Sequence, residues 1–124
     1  MFKTIFTLSL LLLASHASAQ DHSNHATHGA MDMAQPKGDQ GPSSQAFAAA
    51  NAKMHADMDI ELSGNADVDF VRGMIPHHQG AIDMARIQLE FGKDPEIRKL
   101  AEEVIKAQEG EIAMMKAWLA KHAR

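Results

Sequence analysis

The sequence predicts an all-α protein: an antiparallel helical bundle of about three helices, preceded by an arm that bears His and Met. Apolar residues recur every three to four positions from Ser44 onward, and Pro, Asp and Gly stand where helices start and stop. Before residue 44 no such period is present. Residues 1–19 read as a secretory leader, with Lys3 at its positive start, an apolar run from Ile5 to Ala14 and the small residues Ala17-Ser18-Ala19 at a cleavage site. That run is too short to span a bilayer as a helix.

Residues 20–43 are rich in Gly, Pro, Ser, Asp, Gln and His and offer nothing to fold around, so they read as a disordered arm. The arm carries His22, His25, His28, Met31 and Met33, a compositional candidate for metal binding. Cleavage after Ala19 makes the mature chain open Gln20-Asp21-His22, whose free amine, backbone nitrogens and imidazole suit square-planar Cu(II) or Ni(II).

Residues 44–124 form the expected helical domain. A first helix is expected from Ser44 to Leu62, with Phe47, Met54, Met58 and Leu62 on one side and Ser63-Gly64-Asn65 stopping it. The second is expected from Asp67, as N-cap, to Phe91, with Gly92 as a left-handed C′ residue. The third has Asp94 as N-cap, Pro95 at the first helical position and Glu96 near the positive end of the dipole, and runs to about His122. Pro76, flanked by Gly73 and Gly80, is expected to kink the second helix.

Composition narrows the function. The formal net charge is −4, and −5 once Lys3 leaves with the leader, so the balance is acidic. There is no basic stripe, no Tyr and a single Trp, which argues against nucleic acid as a partner. With no Cys, stability comes from packing or metal rather than disulfides. No Glu-x-x-His of a di-iron bundle and no His-Glu-x-x-His occur, and no nucleophile stands near a base, so an enzyme is not expected.

The chemistry gathers in Met74-Ile75-Pro76-His77-His78 and Met84. Thioether and imidazole are the donors that suit copper. At about 100° per residue, Met74, His77, His78, Ala81, Met84 and Ala85 share one sector of the second helix. On the third, the expected apolar face is Ile97, Leu100, Ala101, Val104, Ile112, Met115 and Leu119, with Gln108 and Glu111 in its midst. Short loops make consecutive helices antiparallel, which brings Met54, Met58, Met74, His77, His78 and Met115 to about one layer. Gln108 and Glu111 then hold the imidazoles, as outer groups do around metal ligands. The bland alternative is methionine as adaptable core filler around a satisfied polar network.

The block from Asp69 to Ala85, with its Met-x-x-His-His-x-x-Ala-x-x-Met-Ala core, followed by Gln108, Glu111-Ile112, Met115 and Trp118-Leu119, resembles the family catalogued as domain of unknown function 305. The resemblance spans about Met54 to His122. It implies a ferritin-like helical bundle, export, and kinship with the CopM type of copper-binding protein implicated in copper resistance. Met74, His77, His78 and Met84 match the motif directly; Met54, His55 and Met58 match more loosely.

Three classes of function follow as expectations. The first is a periplasmic or secreted protein that sequesters or carries copper, Cu(I) favoured and Cu(II) or silver accepted, with a copper efflux or delivery system as partner. The second is a redox enzyme on the same bundle. The third is a metal-independent interaction module of the cell envelope. A core of about eighty residues is small for a monomer, so self-association is expected.

Overall fold

The computed structural model describes residues 35–123. The leader and the arm donors His22, His25, His28, Met31 and Met33 lie outside the described residues. Three helices follow one another: α1 (Pro42–Met58), α2 (Ala66–Phe91) and α3 (Pro95–His122). Among the described residues there is no strand, and no helix is long and apolar enough to cross a membrane.

Local chemistry explains the boundaries, and several differ from expectation. Helix α1 starts at Pro42, not Ser44, because the ring presets φ at N1 behind Gly41. Ser44 instead donates its hydroxyl to Asp39 at 2.6 Å. The helix ends at Met58, and Leu62 lies beyond it, exposed, in a link that carries Ile60 across α2 to within 3.9 Å of a Cβ placed on Gly73. Gly64 turns that link with φ +82, which favours glycine.

The N-cap of α2 is Asn65 rather than Asp67: its side chain accepts from the amides of Asp67 and Val68 at 3.1 and 3.3 Å. Asp69 reaches back and accepts from the Ser63 amide and hydroxyl and the Gly64 amide. The Ser63 amide, then its hydroxyl, holds the Asp69 carboxyl below its ordinary pKa. Helix α2 continues through Pro76, which deprives the Arg72 carbonyl of its helical donor.

Gly92 is extended (φ −76), not left-handed. Glycine fits there because a Cβ would lie 2.6 Å from the Gln88 carbonyl oxygen. Arg98 closes the turn, donating to the carbonyls of Leu89 and Gly92 at 2.6 and 2.9 Å, where the α2 dipole is negative. Asp94 caps α3 as expected, accepting from Glu96 and Ile97.

Alternating three- and four-residue steps make the seam between α2 and α3. On α2 it runs Val71, Ile75, His78, Ile82 and Ala85; on α3, Ala101, Ile105, Ile112 and Met115. Ile82, only 2% exposed, centres the core with Ile112 and Met115. Each such side chain stabilises the fold by about 1.5–3 kcal/mol. The buried face of α2 is therefore turned by roughly a quarter of a revolution from the expected sector. The β-branched Val71, Ile75 and Ile82 bury more apolar surface than the stripe of Met84 and His77. Ile97 and Leu100, expected in the core, are about half exposed.

Helix α1 packs on α2 and makes no backbone-level contact with α3. Gly80 is the point of approach: a Cβ there would lie 2.6 Å from Met54 Cγ and 2.9 Å from its Cβ. The Gly73 and Gly80 side of α2 lies roughly opposite its α3 side, so the three helices form a row with α2 in the middle.

Candidate metal centre

That row decides which of the expected donors meet. Met54 is half-buried against Gly80, and Met58 is half-buried at the end of α1. Both are separated from α3 by the body of α2, so the expected single layer fed by three helices does not form. His55 is exposed and borders a surface hollow with Asn51, Gln35 and Lys37. His77 is exposed, because it sits about 100° around the helix from His78. Met84 lines a different hollow, with Phe47 and Leu100.

What the structure does assemble is a cavity of about 390 Å³ between α2 and the carboxyl half of α3. Its walls include Met74 and His78 from α2, and Glu111, Met114, Met115 and Trp118 from α3. Met74 stands one turn before His78, and Met115 one turn beyond Glu111, so antiparallel packing of the two helices brings all four to similar height.

His78 is the buried polar side chain of this region. Its Nε2 lies 2.5 Å from Glu111 Oε2. With Nε2–H donating to the carboxylate, Nδ1 carries a lone pair, and Nδ1 is buried without a hydrogen-bond partner. An orphaned buried acceptor costs about 1–3 kcal/mol, and a cation satisfies it. A carboxylate on one ring nitrogen also fixes the tautomer and sharpens the basicity of the other. Gln108, expected to share this role, is half-buried and forms no hydrogen bond to either histidine.

The far wall is stiffened by Trp118, whose ring stacks on His122 at 4.4 Å and 12°. His122 Nδ1 lies 2.8 Å from the Trp118 carbonyl oxygen and donates to it, which holds the pair. Met114 and Trp118 were not among the expected site residues. Their signal was a second three-four repeat, Ala107, Glu111, Met114 and Trp118, beside the core repeat.

Among the described residues, no three His, Cys, Asp or Glu side chains converge as a metal site. Hard octahedral or carboxylate-rich ligation therefore has no candidate there. Met74, Met114, Met115 and His78 line one cavity, and thioether and imidazole together are a soft donor set of the kind that suits a monovalent copper or silver ion.

Comparison with known proteins agrees with this region as the chain's recognisable part. The chain is 42% identical over 53 residues to an uncharacterized protein, L153, of Acanthamoeba polyphaga mimivirus, a match covering 43% of this chain and 35% of that protein. The aligned part thus spans about a third of that relative's length. The sequence profile of the family described as domain of unknown function (DUF305) matches residues 67–124, which take in nearly all of α2 and the whole of α3. This helical hairpin, with Met74, His78, Glu111 and Met115, belongs to the DUF305 family.

Proposed function

We propose that this chain is an exported copper-binding protein that sequesters or carries copper, holding Cu(I) in the cavity between α2 and α3. The observation that carries the reading is the buried, unpartnered Nδ1 of His78, a residue that lines one cavity with Met74, Met114 and Met115. Nδ1 would bind the ion together with the thioethers of Met74 and Met115, and Glu111 would hold the ring in its ligating tautomer. Thioethers need no deprotonation, so such a site keeps its sulfur donors at mildly acidic pH. The leader-like residues 1–19 support export to the periplasm or beyond. No reaction is assigned, and the role is storage or transfer.

Titration of the mature protein with Cu(I) against a chromophoric chelator tests this. His78→Ala, and Met74→Leu with Met115→Leu, are expected to weaken binding at least tenfold, the leucines keeping the core volume. His77→Ala is expected to leave the cavity's affinity within twofold, since His77 faces outward. No Cu(I) uptake, or uptake lost only with His77→Ala, would overturn the reading.

A further inference from the structure

Beside the core seam, α2 and α3 each present a second stripe on one common face, and this face is apolar yet open. Phe70 is 65% exposed, Met114 63%, Leu100 53% and Met84 37%. Two hollows run along it, one lined by Phe70, Met74, Met114 and Trp118, the other by Ala81, Met84, Leu100 and Val104 together with Phe47 of α1. Apolar surface of this extent on a small domain marks a docking site.

The antiparallel core fixes heights along the hairpin: Val71, Ile75, Ile82, Ile105, Ile112 and Met115 interlock as one cluster. Carried outward, the same register levels Phe70 with Trp118, Met74 with Met114, His77 with Glu111, Ala81 with Ala107, and Met84 with Val104. At four of the five levels apolar stands beside apolar: Phe70 with Trp118, Met74 with Met114, Ala81 with Ala107 and Met84 with Val104. At the one polar level an imidazole stands beside a carboxylate.

We propose that a second copy of this chain docks on this face through a two-fold axis parallel to the helices, so that α2 of each copy lies antiparallel on α3 of the other. Such an axis keeps each residue at its own height. His77 of one copy then meets Glu111 of the other, Ala81 meets Ala107 where the backbones come closest, and Phe70 meets Trp118. Glu111 uses Oε2 for His78, which leaves Oε1 for the second imidazole. His77 makes no hydrogen bond among the described residues. The polar complementarity is what selects a second copy: the stripe's carboxylate acceptor and its imidazole donor lie at equal height on opposite helices, so the face is its own complement. The four helices close into a bundle with α1 outside.

This surface stands whether or not copper binds, so it is tested on metal-free mature protein. Sedimentation velocity over a dilution series is expected to give twice the chain mass, and Leu100→Glu to give the single-chain mass with unchanged helical circular dichroism. The chain has no cysteine, so Ala81→Cys and Ala107→Cys report the axis cleanly. Oxidation of a mixture of the two variants is expected to give a cross-linked dimer, whereas neither variant alone cross-links to itself. A wild-type chain that stays monomeric, or a Leu100→Glu chain that stays dimeric, would overturn the proposal. So would self-cross-linking of Ala81→Cys alone, since that requires an axis perpendicular to the helices.

Discussion

Truncating Glu111 to Ala separates the two roles its carboxylate plays. Glu111 touches the buried imidazole of His78 through Oε2 at 2.5 Å, while its own side chain is 54% exposed. As an ion pair it is largely screened by solvent and contributes at most about 1 kcal/mol. The larger cost falls on His78, because the ring would then have neither nitrogen paired in a buried setting. An unsatisfied buried donor costs about 1–3 kcal/mol, and the opening left by the truncation admits water toward Nε2, which brings the expected loss to the lower end. Metal affinity should fall further than stability: removing a carboxylate that orients a ligating imidazole costs about 10–100-fold, or roughly 1.4–2.8 kcal/mol. Urea unfolding gives the first quantity and Cu(I) competition the second. Glu109→Ala is the matched control, an exposed carboxylate 3.8 Å from Arg86 and away from the cavity. If Glu111→Ala binds Cu(I) within twofold of wild type while His78→Ala abolishes binding, the carboxylate does not orient the ring and this reasoning fails.

Other perturbations follow from the same geometry. Ile82→Ala removes the most deeply buried large side chain and should cost about 2–5 kcal/mol; at about 4–8 °C per kcal/mol the melting temperature should drop by roughly 8–40 °C, and a loss below about 1 kcal/mol would contradict the core assignment. Asn65→Ala frees the amides of Asp67 and Val68 and should cost about 1 kcal/mol in chemical denaturation, whereas Asp67→Ala should cost less. Asp69 has its folded pKa lowered by Ser63, so its stabilising contribution is present above the ordinary carboxylate pKa and fades as the pH falls through the lowered value. The difference in melting temperature between wild type and Asp69→Asn should accordingly be full near neutrality and vanish in acid; a difference independent of pH would refute this.

Punctuation was the most legible part of the sequence. Asp94-Pro95-Glu96 located the start of α3 because an N-cap, a preset φ and a dipole partner act locally, without help from the rest of the chain. The start of α2 was less legible, since Asn65 and Asp67 are both good caps and only the path of the preceding link decides between them. Which face of α2 turns inward depended on a competition that spacing alone does not settle. Two three-four repeats run side by side on that helix, and the one holding Val71, Ile75 and Ile82 is buried, because their branched side chains interlock with Ile105 and Ile112. Reading the His-Met stripe as the inner one turned His77 and Met84 inward, where the structure leaves them outside. That Glu111 answers one of the histidines was legible from antiparallel reflection about the turn, whereas Gln108, read as sharing that role, bonds to neither. The separation of Met54 and Met58 from that pair was not, because reflection fixes height but says nothing of which side of α2 carries α1.

Helix α1 makes its backbone-level contacts with α2 alone, so its release uncovers the outer side of α2 and leaves the pairing of α2 with α3 in place. Local opening should therefore be graded along the chain, with α1 amides trading their hydrogens for deuterium sooner than those around Ile82 and Ile112. The chain upstream of Pro42 is tethered to this loosely held element. The ring of His78, held by Glu111 within the α2–α3 hairpin, stays clamped through such opening.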